Sequence, residues 1–233
     1  MSVINDKAIV KDYFNATGFD RWRRIYGKTE DVNKVQKDIR IGHQQTIDTV
    51  IDWLKDGNLE GISVCDAGCG VGSLSIPLAE AGAVVSASDI SEKMVGEAKQ
   101  RAQTFLGRSE QPFAPTINFE VKDLESLSGS YHTVICLDVL IHYPTEDAAK
   151  MISHLASLAQ SRLILSFAPK TLGLTMLKKI GEFFPGPSKA TRAYQHKENE
   201  IIGILLDNGF HIQRKGMIGT SFYYSRIVEA VRD

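Results

Sequence analysis

From residue 61 onward, short apolar runs alternate with longer segments of helical period. The runs 62–66, 84–89, 117–121, 133–137 and 162–167 are brief, β-branched or Leu-rich, and apolar at consecutive positions. Such continuity suits strands covered on both faces by crossover helices, whereas half-exposed strands would alternate with polar residues. Between them the pattern predicts a helix over 73–81 ended by Gly82, and one over 91–106 with Ser91 as N-cap and Gly107 as terminator. A third, over 145–158, carries Glu146 and Asp147 early, where the helix dipole favours negative charge. This alternation predicts an α/β sheet with right-handed crossovers.

The pattern changes at both ends. Residues 170–196 place Leu174, Leu177 and Ile180 at helical spacing ahead of a Pro185-Gly186-Pro187 break. With Met176, Leu177, Phe183 and Phe184, this stretch is expected to form a lid, although the same residues suit a partner interface or a membrane surface. A helix over 197–206 stopped by Asn208-Gly209 follows, then two strand-like runs, 210–214 and 222–231, separated by Gly216 and Gly219 and expected to pair antiparallel. In the N-terminal region Phe19, Trp22 and Tyr26 fall at i, i+3 and i+7 on one helical face, with Arg21, Arg23 and Arg24 on the neighbouring faces. The expected architecture is a mostly parallel seven-stranded sheet with an antiparallel last strand and helices on both faces. A helical arm over 1–44 precedes a domain over 45–233, with a lid insertion at 170–196.

Composition narrows the function classes. The 233 residues carry 27 basic and 28 acidic side chains, a formal net charge of −1, and 43% are apolar. A balance near zero gives no global reason to expect nucleic-acid binding, and the apolar fraction excludes a dominant disordered tail. There is no run of eighteen apolar residues, and the first residues lack a basic segment followed by an apolar one, so neither a membrane span nor a secretory signal is expected. Cys65, Cys69 and Cys136 are odd in number, which argues against a disulfide framework and for a reducing cytoplasm.

The strongest motif is Asp66-Ala67-Gly68-Cys69-Gly70-Val71-Gly72, where the first strand turns into its helix. A dinucleotide fingerprint needs G-x-G-x-x-G, and Ser73 stands at its third glycine. Asp66 would repel a pyrophosphate and attract a cation, so a zwitterionic amino acid attached to a nucleoside fits better. Asp89 ends the second strand, 17 residues after Gly72, where a carboxylate can accept hydrogen bonds from ribose hydroxyls, and Asp123 follows the third strand at the same edge. Cys69 has no second cysteine two residues away and reads as a small packing residue rather than a redox centre.

These residues resemble the class I S-adenosylmethionine-dependent methyltransferases, with their Rossmann-like fold. In that superfamily an E/D-x-G-x-G-x-G loop holds the methionine end, the acid after the second strand binds ribose, and an acid after the third contacts adenine. The resemblance implies cofactor contacts for Asp66, Gly68, Cys69, Gly70, Asp89, Ile90, Asp123, Leu124 and Asp138. The stretches 13–27, 39–43 (IRIGH) and 137–144 (LDVLIHYP) are similar, more specifically, to the magnesium protoporphyrin IX O-methyltransferases of chlorophyll biosynthesis. That likeness implies methyl transfer from S-adenosylmethionine to a propionate carboxylate, leaving S-adenosylhomocysteine, with magnesium entering only inside the porphyrin. It makes magnesium chelatase subunits candidates for substrate handover and leaves peripheral contact with photosynthetic membranes open.

On this basis His142 and Tyr26 are the expected catalytic residues, and Trp22, Arg23, Arg24 and His43 the expected substrate contacts, His43 also as a ligand to the porphyrin magnesium. Flat aromatics beside guanidinium groups suit a planar dicarboxylate; the same residues would also serve simply to anchor the arm. His142 is expected either to orient the carboxylate or to accept its proton, and in related enzymes a His at this place also serves only the turn. No His/Cys/Asp cluster has the spacing of a protein metal site. Two other functions stay open: O-methylation of another small molecule such as a quinone precursor, and a noncatalytic cofactor-binding regulatory module.

Overall fold

The computed structural model describes residues 6–27, 32–106, 116–170 and 193–232. Two short helices, α1 (Asp6–Asn15) and α2 (Thr17–Ile25), precede a long one, α3 (Lys34–Leu54). Then come β1 (Ser63–Ala67), α4 (Ser75–Glu80), β2 (Val84–Asp89), α5 (Glu92–Leu106), β3 (Thr116–Val121), β4 (Tyr131–Cys136), α6 (Thr145–Leu158) and β5 (Ala159–Phe167). The described chain finishes with α7 (Glu198–Asp207), β6 (His211–Gly219) and β7 (Tyr224–Val231).

The seven strands form one sheet in the order β3-β2-β1-β4-β5-β7-β6. Strands β1 to β5 pair parallel, while β7 runs antiparallel to both β5 and β6. The strand order reverses beside β1, so the crevice of such a sheet opens at the carboxyl ends of β1 and β4. Consecutive apolar residues in each central strand serve opposite faces. Val134 and Cys136 join the core under α6 and α7, whereas Ile135 and Leu137 join the core under α3, α4 and α5. Each large aliphatic side chain buried this way contributes about 1.5–3 kcal/mol.

Helix α3 starts at a capping box in which the Asn33 side chain accepts from the Gln36 N–H at 2.9 Å and the Gln36 side chain accepts from the Asn33 N–H at 3.1 Å. It then runs unbroken to Leu54, burying Gly42, Thr46, Ile47, Val50 and Leu54 along one face. The boundary expected between 44 and 45 therefore falls inside a helix whose buried stripe begins before it and continues after it. Gly216 and Gly219 do not separate strands: both lie within β6, where Gly216 makes room for the Trp53 ring, and the turn is at 220–223, closed by the Thr220 N–H on the Tyr223 carbonyl at 2.8 Å. Helix α4 is shorter than expected because residues 71–74 belong to the glycine turn. Ser91 does cap α5, accepting from the Met94 N–H at 3.2 Å. The terminator at Gly107 and almost all of the expected lid, including Met176, Leu177, Phe183 and Phe184, lie outside the described residues. Among the described residues no helix is long and apolar enough to cross a membrane.

Strand β7 contains a fully buried carboxylate, Glu229, paired with Arg162 at 3.2 Å and with Arg214, which also reaches Asp56 at 2.7 Å. Removing one partner of a buried pair leaves the other charge uncompensated. Arg214→Ala, which leaves the buried Glu229 with Arg162 alone, is expected to lower unfolding stability by about 3 kcal/mol in chemical denaturation, with Arg214→Lys losing less.

Candidate active site

The glycine loop follows β1 directly. At Gly68, φ is 87° and a Cβ would stand 2.2 Å from the Val139 side chain, so only glycine lets the loop and the β4 end meet. At Gly70, φ is 52° and a Cβ would meet nothing within 4 Å, so the loop is open on that side for a ligand to approach the backbone. The Gly68 and Cys69 N–H groups both donate to the Ser88 carbonyl at 2.8 Å, pinning the loop to β2. Asp89, at the end of β2, accepts from the Gly70 N–H at 3.0 Å and the Ser91 N–H at 2.9 Å, which fixes its carboxylate at the lip of the loop.

Burial pushes the Asp66 carboxyl up to about 6, against a hydrogen bond from the Ser75 hydroxyl. Burial likewise raises Asp89, opposed by the N–H groups of Ser91 and Gly70. Asp123 moves the other way: burial would raise it, but Lys7 at 2.5 Å and the Ser126 N–H hold it below the usual carboxylate range. Lys7 also pairs with Glu125, so α1 is tied to the turn that follows β3.

These acids line one end of a cavity of about 320 Å³, together with Gly68, Cys69, Gly70, Ile90 and Leu124. The other end is walled by the arm, α3 and the turn after β4. Trp22 packs on Tyr26 with ring centroids 5.3 Å apart, Tyr26 on His43 at 4.2 Å, and Phe14 stands edge-on to His142 at 5.4 Å. The arm is fastened by Ser91, whose hydroxyl donates to the Asn15 side chain at 2.8 Å, and by Arg101, which donates to the Tyr26 carbonyl at 2.9 Å. His142 sits in a single 3₁₀ turn, Leu140–His142. Burial lowers its pKa to about 4, with Asp138 opposing, and its Nδ1 has no hydrogen-bond partner. Burial, together with Asp138 and Asp89, raises the Tyr26 phenol well above its ordinary value.

Asp138 joins the two ends. It is the one non-glycine residue with positive φ, 58°, among the described residues. Its N–H donates to the Ser166 hydroxyl at 2.8 Å, and its carboxylate binds His43 Nδ1 at 2.9 Å and accepts from the Tyr223 hydroxyl at 2.9 Å to each oxygen. Burial alone would raise this carboxyl; the hydrogen bonds from His43, Tyr223 and Ser166 outweigh it and keep it below the usual range.

The cavity thus brings together all nine residues expected to contact the cofactor, with Tyr26, His142, Trp22 and His43. Arg23 and Arg24 do not line it. Both are exposed on the far side of α2, Arg23 over the Phe19 ring and Arg24 donating to the Asp20 carbonyl at 3.3 Å. The guanidinium on the cavity wall belongs to Arg21, 5.9 Å from the centroid of the Trp22 ring it covers. Phe19 does not line the cavity either: its half-buried ring lies between Arg23 and Lys93, 5.7 Å from each cationic group. Tyr223 and Lys7 escape the sequence reading because each acts through a partner far away in sequence, Asp138 and Asp123; Ser75 lies only nine residues from its partner Asp66 but belongs to no recognised motif position. Among the described residues no group of three or more His, Cys, Asp or Glu could hold a metal ion.

Comparisons with known proteins agree with this geometry. Residues 136–232 match the family described as magnesium-protoporphyrin IX methyltransferase C-terminus, and residues 64–161 match a general methyltransferase domain. The chain is 70% identical to a magnesium-protoporphyrin O-methyltransferase of Synechocystis over 99% of this chain and 98% of that one. It is 57% identical to a chloroplastic magnesium protoporphyrin IX methyltransferase of Arabidopsis thaliana, over 97% of this chain and 71% of the relative. A crystal structure of magnesium protoporphyrin IX methyltransferase from Synechocystis with bound S-adenosylhomocysteine superposes with a TM-score of 0.88 at 68% identity, covering 97% of this chain and all (100%) of that one. At this identity and coverage, the chain belongs to the magnesium protoporphyrin IX O-methyltransferases.

Proposed function

We propose that the chain transfers the methyl group of S-adenosylmethionine to a propionate carboxylate of magnesium protoporphyrin IX, giving the monomethyl ester of chlorophyll biosynthesis. One observation carries this reading: a single cavity holds the glycine loop and acids at one end and Tyr26, Trp22, His43 and His142 at the other. The loop fits the cofactor, because the open side of Gly70 leaves room for it and Asp66, Asp89 and Asp123 suit a cation, ribose hydroxyls and adenine respectively. When bound, S-adenosylmethionine supplies an electrophilic methyl on a positively charged sulfur.

The chain's own residues then have a task of orientation. A propionic acid with a pKa near that of Glu, about 4.3, is ionised at neutral pH, so no proton need be removed. His142, with its pKa lowered to about 4, is neutral there and gains little by accepting a proton from such an acid. The Tyr26 phenol, raised well above its usual value, keeps its proton and can donate to a carboxylate oxygen. Tyr26 and His142 therefore position the propionate, and the surrounding Trp22, Phe14 and Ile141 keep water away from it. Arg21, on the cavity wall, is placed to pair with a carboxylate. Delivery of the poorly soluble porphyrin by a magnesium chelatase subunit or from a membrane surface belongs to the same reading, and Phe222, 53% exposed, extends the cavity wall to the surface.

The reading is tested by offering the purified chain magnesium protoporphyrin IX, metal-free protoporphyrin IX and a quinone precursor, with products identified by mass. A monomethyl ester of the magnesium porphyrin is expected; methylation of the phenol and of neither porphyrin would overturn it. His142→Ala is expected to lower kcat by about 10²-fold with cofactor affinity within about twofold of wild type, as loss of orientation predicts. In the wild type, kcat should show no inflection from His142 near pH 6.5, its ordinary value, because the group titrates near 4. Asp66 makes cofactor binding pH-dependent. Its carboxyl is protonated below about 6 in the free chain and is driven to ionise by a cationic ligand, so binding releases a proton at pH 5.5. Calorimetry should find affinity falling by up to about tenfold per pH unit below pH 6, and Asp66→Asn should flatten that dependence.

A further inference from the structure

The wall of the cavity carries strong electron-pair donors, and nearly all are already engaged. Asp66 accepts from Ser75, Asp89 from the Gly70 and Ser91 N–H groups, Asp123 from Lys7 and Ser126, and Asp138 from Tyr223 and His43. Among the described residues two buried ring nitrogens have no hydrogen-bond partner: His142 Nδ1 and His43 Nε2. Leaving a buried polar atom in that state is costly, which marks it as a place where a ligand atom belongs.

The two imidazoles are not equivalent. His142 has no carboxylate behind it, whereas His43 binds the ionised Asp138 through Nδ1 at 2.9 Å. An ionised carboxylate only accepts, so Nδ1 carries a proton, and in the neutral ring Nε2 is the lone pair. Tyr223 donates to both oxygens of Asp138 and Thr46 lies 2.8 Å from the Tyr223 hydroxyl, so the carboxylate and the ring it holds are fixed from behind. A histidine backed by a carboxylate in this way is the arrangement that orients metal-ligating imidazoles and strengthens their donor nitrogen. Magnesium ordinarily prefers oxygen donors, but inside a porphyrin the ring supplies four nitrogens and the protein needs to provide one axial donor. Carboxylates, the harder donors, are spoken for.

We propose that His43 Nε2 is the axial ligand through which the chain reads the magnesium of its porphyrin substrate, with Asp138 and Tyr223 as positioning residues behind it. The inference rests on the porphyrin reading above. The Tyr26 ring packs against the face of His43 with centroids 4.2 Å apart, leaving the in-plane Nε2 lone pair directed past it. Recognition of the metal and placement of the Tyr26 phenol against the propionate are thereby coupled through one contact.

The test uses the full chain saturated with S-adenosylhomocysteine, titrated with magnesium protoporphyrin IX and with metal-free protoporphyrin IX while the porphyrin absorption band is followed. Wild type is expected to shift the band of the magnesium form and to bind it at least about tenfold more tightly than the metal-free form. His43→Ala should abolish both the shift and the preference, and added imidazole should restore the shift. His43→Phe, which preserves the stack on Tyr26 without a lone pair, should behave like His43→Ala. Equal weakening toward both porphyrins, or no change toward either, would overturn the proposal while wild-type methyl transfer to the magnesium porphyrin still stood. A wild-type chain that neither binds nor methylates any porphyrin would overturn the underlying function as well.

Discussion

A parallel sheet buried on both faces has only its strand ends for polar chemistry, and the rest of this molecule follows from that constraint. Strands β1 and β4 contribute side chains such as Val64, Cys65, Ile135 and Cys136 to cores on opposite faces, with exposures of 1% or less. Charge therefore collects where β1, β2, β3 and β4 release the chain: at Asp66, Asp89, Asp123 and Asp138. The parallel direction of these strands puts all four carboxylates on one edge, and the glycine loop opens the backbone beside them. A near-neutral total charge thus coexists with a concentrated acidic row.

Within that row Asp138 has a different character. Its left-handed backbone is a strained conformation for a residue with a side chain, costing about 1–2 kcal/mol. Four groups hold it there or use it: the Ser166 hydroxyl, His43, Tyr223 at both oxygens and, through Tyr223, Thr46. These come from β5, α3 and the turn before β7, so the strain is maintained by the packing of three separate elements. Gly42 makes the arrangement possible, since a Cβ there would lie 2.2 Å from the Tyr223 ring. Helix α3, entered through its capping box, thus belongs both to the sheet's support and to the wall of the site.

The parallel core was legible because each strand is a short uninterrupted apolar run, and the acidic end of the cavity because the glycine loop is a contiguous motif and each acid stands at the end of a readable strand. The arm was legible in composition but not in orientation. The order Arg21-Trp22-Arg23-Arg24 does not say which guanidinium shares a face with the cavity, and that depends on how α2 sits against α3 and α5, which Arg40 and Arg101 set by donating to carbonyls of residues 23–26. Helix α3 runs across the expected 44/45 boundary, and no break in its sequence pattern marks that position. Tyr223 stayed hidden for a related reason: its partners Asp138 and Thr46 lie 85 and 177 residues away, and a Phe-Tyr-Tyr turn carries no signal of its own.

The central claim is that cofactor and porphyrin share one cavity, with acids at one end and the aromatic arm at the other. A structure of the chain with S-adenosylhomocysteine and magnesium protoporphyrin IX bound together tests it most directly. The account predicts the cofactor product against Gly70, Asp89 and Asp123, and one propionate within hydrogen-bond reach of Tyr26 and His142. A porphyrin seated outside this cavity, with no carboxylate near Tyr26 or His142, would contradict it.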